Sequence, residues 1–283
     1  MAKKRSVGFH TYRYQLLPTS QHVQMDLGGT ITGIEDLRQK KNEFLRQALE
    51  NIETFAYSRA ETRHKIWASE ALFVLQIGVE RDLKRKTREF EIEEVENWPT
   101  VFVAFNNDPQ VQKCLVQQQG GFQRTATVVK LIEDSLNVVL AQYQLAIAFE
   151  PIYAESYFWD LVERYQGKIT QIEFELISPN MSNISENLTF DLAALNRSTN
   201  TQRTNLQLNS DKNATLTPSA DDPLIGGLVH YSSDGGGDIT MRAMGVRKKI
   251  HTAKGVNEVT IDEVLVEGAT PEQLADVFRG LLQ

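Results

Sequence analysis

Two short clusters of basic side chains are the part of this sequence whose residue types and spacing best suit a chemical task. They are the first basic segment, residues 81–88, and the second basic segment, residues 242–254. Their candidate nucleic-acid-binding residues are Arg81, Lys84, Arg85, Lys86, Arg88, Arg242, Arg247, Lys248, Lys249 and Lys254. Lys and Arg neutralise phosphates whatever the base sequence, and a two-stranded ribbon fits a major groove. The sequence therefore predicts a DNA or RNA contact on two basic β-hairpins.

The same clusters also have a purely structural explanation. Lysines on exposed edge strands prevent strand-to-strand aggregation, so a basic hairpin also suits a protein that binds no polyanion. The formal net charge of −7 argues against general coating of nucleic acid, although it permits a local basic patch. Four glutamates within residues 91–96 follow the first basic segment closely. Both explanations stay open, and the nucleic-acid interpretation is stronger if the two hairpins share one face.

Carboxylates in the C-terminal half suggest a different chemistry, that of a metal-dependent nuclease. Such an enzyme needs two or three carboxylates that converge on a divalent cation. The available residues are Glu173, Glu175, Asp221, Asp222, Asp234, Asp238, Asp262 and Glu263. Their spacing matches no recognisable motif, and Asp222 before Pro223 is explained as a helix cap. We therefore predict no catalytic residue and no metal site, and an enzymatic function stays open.

The remaining reactive residues favour structure over catalysis. The five histidines show no metal-ligand spacing, and the single cysteine, Cys114, has apolar neighbours that predict a buried thiol. The glycine run 235–237 follows a predicted helix and precedes a strand, which is the reverse of the order in a phosphate-binding loop. It is predicted to end the helix. No cofactor is expected.

The N-terminal half, residues 1–120, is predicted to be one β-rich domain. Its predicted elements are a strand at 7–17, a long helix from a capping box at Thr32 and Glu35 to about residue 57, a hairpin of strands 71–79 and 87–95 around a charged turn at 81–86, and strands at 101–105 and 111–118. Strands that follow one another with turn signals between them favour an antiparallel meander, with the helix packed against it.

The C-terminal half, residues 121–283, alternates helices with strands. In residues 168–180, Ile172, Phe174 and Leu176 alternate with polar side chains, which is typical of a half-buried strand. The other predicted elements are helix 125–142, strand 145–149, helix 157–165, a helix around 184–195, a strand at 205–209, a helix opened by Asp222, a long hairpin of strands 239–250 and 258–266, and a C-terminal helix capped at Thr270. The order of all elements favours an α+β fold class, with an antiparallel N-terminal meander followed by helix–strand alternation.

The sequence also bears on the compartment. The basic residues at its start precede no apolar run, and no stretch is long and apolar enough to span a bilayer. One cysteine cannot form an internal disulfide. We expect a cytoplasmic protein without membrane contact.

Several short patterns across residues 100–250 resemble a family of uncharacterised prokaryotic proteins that occur among phage-defence genes. They are the strand 101–105, the helix start around Phe122 and Thr125, the run Phe149-Glu150-Pro151-Ile152, the pair Phe174 and Pro179, the run Pro223-Leu224-Ile225, and the glycines 235–237. In the order of its elements the chain is also similar to the RexA-type phage-exclusion family. This resemblance implies a DNA-binding or sensing role in anti-phage defence.

Three functions therefore stand as hypotheses. The first is a non-enzymatic nucleic-acid-binding or sensing component of a prokaryotic defence system, expected to form homo-oligomers. The second is a metal-dependent nuclease effector. The third is an interaction subunit that binds only protein, such as a partner defence protein or a phage component.

Overall fold

The structure, a computed structural model, describes residues 5–20, 31–177, 198–199 and 201–282 of the 283-residue chain. The predicted helix around 184–195 lies outside these residues. The described elements, in chain order, are β1 (Ser6–Pro18), α1 (Ile34–Asn51), β2 (Thr62–Ser69), β3 (Leu72–Val79), β4 (Arg81–Lys86), β5 (Ile92–Asn97), β6 (Thr100–Asn106), β7 (Lys113–Gln117), α2 (Thr125–Leu140), β8 (Leu145–Pro151), α3 (Glu155–Arg164), β9 (Ile169–Ile177), β10 (Arg203–Asn209), α4 (Pro223–Tyr231), β11 (Gly237–Ala243), β12 (Ile250–His251), β13 (Glu258–Asp262), α5 (Glu263–Val266) and α6 (Pro271–Leu281). Helices and antiparallel sheets together confirm the predicted α+β class.

Two compact units share the chain. Unit 1 comprises Met1–His10, His22–Ile147 and Glu258–Gln283, and unit 2 comprises Thr11–Gln21 and Ala148–Asn257. This division differs from the predicted domains 1–120 and 121–283. The difference arises because strand pairing joins segments that are far apart in sequence: β13, near the end of the chain, pairs with the first residues of β1 inside unit 1.

Unit 1 is built on a sheet with the strand order β13–β1–β7–β6–β3–β2. Helix α6 packs on it, since Leu274 and Phe278 are buried in one cluster with Phe9 and Phe102, and the rings of Phe9 and Phe278 meet edge to face at 5.3 Å. The predicted capping box of α6 is confirmed: Thr270 accepts from the backbone N–H of Gln273, whose side chain accepts from the backbone of Thr270. Burial of this apolar helix face is the main source of stability in such a layer.

Unit 2 contains an antiparallel sheet with the order β10–β9–β11–β12. The predicted alternation in β9 is confirmed, because Ile172, Phe174 and Leu176 are at most 2% exposed. These side chains pack with buried residues of α3 and α4, which cover one face of the sheet. The other face carries polar side chains. Gly167, with φ +69°, follows α3 and lets the chain enter β9, as predicted.

Residues 81–86 form a strand and not the predicted turn. They are β4, which pairs along its whole length with β5 in a two-stranded sheet that we call the β4–β5 ribbon. Strand β3 pairs instead with β2 and β6, so the predicted hairpin of strands 71–79 and 87–95 is wrong. Local alternation identifies a strand but not its partner, and β2 is absent from the predicted elements.

Helix α1 is shorter than predicted. It ends at Asn51 because the following residues turn extended and bury Phe55 completely. Its predicted capping box is also wrong. Gly33 occupies the N-cap, and the backbone N–H of Thr32 donates to the carboxylate of Asp36 at 2.9 Å. Asp36 therefore accepts the hydrogen bond that the predicted capping box assigned to the side chain of Glu35.

The closing hairpin is shorter than the predicted pairing of 239–250 with 258–266. Strand β11 pairs with β12 only at Thr240–His251 and Met241–Ile250, while β13 pairs with β1. No local pattern could show this second pairing, because its partner lies at the other end of the chain.

Gly237 is the position where the backbone of unit 2 leaves least room for a side chain. Its φ is +149°, and a Cβ there would lie 1.7 Å from the carbonyl oxygen of Glu175 in β9. The close approach lets β11 enter the sheet directly after the end of α4. Glycine is required both by the backbone conformation and by the contact.

We therefore expect Gly237→Ala to lower the free energy of unfolding by about 3 kcal/mol or more, because backbone strain and overlap with β9 add. Urea denaturation followed by circular dichroism measures it. The matched control is Gly280→Ala in α6, where no atom lies within 4 Å of the added Cβ. That change should raise stability by up to about 1 kcal/mol. Equal effects of the two variants would contradict the assigned role of Gly237.

Candidate nucleic-acid interface

The first basic segment is paired with acidic side chains across the β4–β5 ribbon. Lys84 lies opposite Glu94, with Nζ 2.7 Å from the carboxylate, and Arg85 lies opposite Glu93, with Nε at 2.8 Å. The hydrogen bond from Arg85 to Glu93 raises the pKa of the guanidinium. Exposed pairs of this kind contribute little stability, but they cancel the charge that a phosphate would meet.

The charge of the whole ribbon is slightly negative. Residues 81–97 contain five basic and six acidic residues, a sum of −1. The side chain of Arg81 is engaged with the backbone of unit 1, because its Nη2 donates to the carbonyl oxygen of Gly121 at 3.2 Å. Arg88, in the ribbon turn, is exposed, as is Lys86 at the end of β4. The ribbon therefore offers no concentrated positive surface to a polyanion.

The second basic segment keeps its positive charge. Residues 242–254 contain five Lys and Arg residues and no Asp or Glu, a sum of +5. Arg242 occupies an exposed position next to the end of β11, and Arg247 and Lys248 are exposed in the turn that leads to β12. In the part of the chain that the structure describes, no ion pair joins these three residues to a carboxylate.

One member of the second segment is neutralised. The Nζ of Lys249 lies 2.7 Å from Oε2 of Glu173 on the polar face of β9. This hydrogen bond lowers the pKa of the Glu173 carboxyl. The polar face of β9 thus binds the hairpin to its own sheet.

Lys168 belongs to the same end of the sheet, although sequence reasoning missed it. The backbone N–H of Met244 donates to its carbonyl oxygen at 2.8 Å, so the start of β9 lies beside the hairpin turn. Lys168 is exposed. Pairing of β9 with β11 is what brings it there, and only a prediction of that pairing could have found it.

Six of the eight carboxylates of the nuclease hypothesis have structural partners. Asp234 is 2.8 Å from Nη2 of Arg13, and the carboxylate of Asp238 accepts from the hydroxyl of Thr252 at 2.9 Å. Asp222 and Asp262 cap helices α4 and α5. Across residues 5–20, 31–177, 198–199 and 201–282, no three His, Cys, Asp or Glu side chains come together as a metal site. The geometry thus gives the nuclease hypothesis no support.

The glycine run 235–237 ends a helix, as predicted. Gly235 has φ +82°, and the space where its Cβ would stand is taken by the side chain of Arg13, at 2.4 Å. A phosphate has no room in that place. Cys114 is fully buried, and burial raises the pKa of its thiol, which agrees with the predicted inert role.

A buried carboxyl group in unit 2 was not anticipated from sequence. Glu150, at the end of β8, lies 3.3 Å from Nη1 of Arg203, which also binds Glu175 at 2.6 Å. Burial raises the pKa of Glu150 to about 7, and the nearby Arg203 offsets only part of this effect. Two carboxylates thus share one guanidinium, and burial lets the Glu150 carboxyl hold its proton to a higher pH than an exposed glutamate does.

Stability should fall as pH rises from 4.5 to about 7, because the folded chain keeps the Glu150 proton that the unfolded chain releases. Above that range, the contribution of Glu150 to the free energy of unfolding no longer changes with pH. Glu150→Gln should remove this part of the slope and raise the free energy of unfolding at pH 8 by roughly 2 kcal/mol. Urea titrations across the pH range measure it. Glu163→Gln, on the exposed side of α3, is the control and should leave the slope as it is.

Comparison with protein-family models, with curated proteins and with solved structures yields no match for this chain. The resemblance to phage-defence proteins therefore stays a prediction. Among the described residues, no helix is long and apolar enough to cross a membrane.

Proposed function

We propose that this chain is a non-enzymatic nucleic-acid-binding protein that contacts the phosphate backbone with the second basic segment. The observation that carries the proposal is the cluster of Arg242, Arg247 and Lys248, which is exposed at one end of the unit 2 sheet and forms no ion pair with a carboxylate in the described part of the chain. Lys168 enlarges the cluster. Phosphate oxygens are the groups that such flexible cations bind best.

The surroundings of the cluster suit the same task. The exposed side chains of Asn205, Gln207 and Asn209 on β10 lie on the polar face of the sheet that carries the hairpin. Amide side chains donate to and accept from phosphate, sugar and base edges. Contacts from about four cations predict a modest affinity. The logarithm of the association constant should fall with the logarithm of the salt concentration, with a slope of about −3 to −4.

The test is a salt titration of binding to a DNA duplex and to a single-stranded RNA by fluorescence anisotropy. Arg247→Gln with Lys248→Gln should weaken binding about tenfold at low salt and make the slope shallower by about 2, since two phosphate contacts are lost. The matched control is Lys84→Gln with Arg85→Gln. It removes the same charge from the β4–β5 ribbon, where glutamates already neutralise it.

The control variant should bind like the wild type. Absence of binding to both probes at about 50 mM salt would overturn the proposal, and so would equal losses in the two double variants. The relative affinity for the two probes decides between DNA and RNA.

The biological setting we propose is prokaryotic anti-phage defence in the cytoplasm, and the family resemblance in residues 100–250 supports it. Phage should then form fewer plaques on cells that express the wild-type chain than on cells that express the Arg247→Gln, Lys248→Gln variant. In this setting the protein acts as a sensor, and a partner supplies any catalytic step.

The β4–β5 ribbon favours a second role, contact with a second copy of the chain. Phe90 is 85% exposed and Ile92 68%, which is unusual for large apolar side chains on so small a surface. Strand β4 is basic and β5 is acidic. A twofold axis parallel to the strands lays the basic strand of one copy over the acidic strand of the other, so both apolar contact and charge favour a dimer.

We expect the wild type to be a dimer whose dissociation constant rises at least tenfold in the Phe90→Ser, Ile92→Ser variant, because the apolar contact is lost. Sedimentation equilibrium over a concentration series measures it. Val138→Ser, which alters an equally exposed residue of α2, is the control. A wild type that stays monomeric, or an unchanged constant in the ribbon variant, would contradict this role and leave the nucleic-acid proposal intact.

A further inference from the structure

Unit 1 contains a cavity of about 860 Å³ that none of the proposed functions uses. It lies between residues 57–59, the segment 120–124 and one side of α2. A volume of this size is typical of sites for small organic ligands and exceeds what a single phosphate ion fills.

The cavity lining is strongly basic. Arg59, Arg81, Arg124 and Lys130 line it, against the single carboxylate of Asp134. That carboxylate is already bound, since Nζ of Lys130 lies 2.6 Å from it. Arg59 and Arg124 are exposed to the cavity mouth and form no ion pair with the residues that the structure describes. Two or three positive charges therefore stay available to an anionic ligand.

One wall of the cavity combines a fixed cation with an aromatic ring. The guanidinium carbon of Arg81 lies 5.9 Å from the centre of the Tyr57 ring, and the buried Phe122 contacts that ring edge to face at 5.4 Å. Because Arg81 also donates to the backbone of Gly121, its position is held from two sides. The half-buried Tyr57 offers a rigid surface on which a planar ring can stack.

The backbone at the cavity floor is held by close contacts. Gly120 has φ +93°, and a Cβ on it would lie 2.4 Å from the carbonyl oxygen of Thr100. Helix α2 follows, and it has no acidic side chain in its first turn, so its dipole adds to the positive potential of the arginines. The hydroxyl of Thr125 hydrogen-bonds Nδ1 of His10 at 2.8 Å, which fixes the start of the helix.

We propose that this cavity binds a nucleoside phosphate, with the base against Tyr57 and the phosphates between Arg59 and Arg124. An aromatic wall beside two arginines without carboxylate partners matches a ligand that is planar at one end and anionic at the other. Bare phosphate lacks the planar part and leaves most of the volume unused. The site lies in unit 1, whereas the second basic segment lies in unit 2, so it is independent of the proposed nucleic-acid contact.

Isothermal titration calorimetry at constant ionic strength tests the proposal with ATP, AMP, adenosine and inorganic phosphate as probes. The wild type should bind ATP saturably, more tightly than AMP and far more tightly than phosphate. Arg59→Gln with Arg124→Gln should weaken ATP binding at least tenfold, since two charge-assisted contacts are lost. Tyr57→Leu should weaken the binding of ATP and adenosine alike, because both lose the stacking surface.

The matched control is Lys65→Gln with Arg88→Gln, which removes two exposed charges of unit 1 that do not line the cavity. It should bind ATP like the wild type, and the Arg247→Gln, Lys248→Gln variant should do so as well. Failure of every nucleotide to bind would overturn the proposal. So would equal losses in the two unit 1 double variants, or phosphate that binds as tightly as ATP. Circular dichroism of each variant confirms that it is folded.

Discussion

The antiparallel pairing of β9 with β11 is the interaction on which the arrangement of unit 2 depends. It buries Ile172, Phe174 and Leu176 under α3 and α4, and it leaves Glu173 and Glu175 on the opposite face. Those two carboxylates then hold Lys249 and Arg203 through ion pairs. The same pairing needs a glycine where β11 enters the sheet, and it places the basic turn of the hairpin beside the start of β9. The candidate interface is thus a consequence of strand pairing.

Pairing of charges decides which of the two basic segments remains available to a polyanion. In the β4–β5 ribbon the register sets Lys84 opposite Glu94 and Arg85 opposite Glu93, so the charge of these two residues is cancelled where it arises. Residues 242–254 contain no Asp or Glu. One carboxylate of the neighbouring strand β9, that of Glu173, forms an ion pair with this segment and neutralises Lys249. Two segments with five Lys and Arg residues each therefore present different surfaces, because local charge density depends on what lies across the strand.

Positive charge occurs in two separate places on an acidic chain, and each place has a different shape. The unit 2 hairpin is an open surface, which suits the backbone of a polymer. The unit 1 cavity is concave and has an aromatic wall, which suits a small ligand. Other charges are used for structure: Arg13 holds Asp234, and Arg203 holds Glu150 and Glu175.

The sequence by itself determined the α+β class, the half-buried alternation of β9, the helix stop at Gly167, the Asp222 cap and the capping box at Thr270. These features depend on a few neighbouring residues, whose periodicity and capping chemistry are visible without any partner. Only the tertiary structure decided that β13 pairs with β1, that Lys84 and Arg85 of the first basic segment are neutralised by β5, and that Lys168 joins the second. It also decided that Arg59, Arg81 and Arg124, which are far apart along the chain, line one cavity. Each of these outcomes depends on which segments meet in space, and hydrophobic alternation carries no information about a strand's partner.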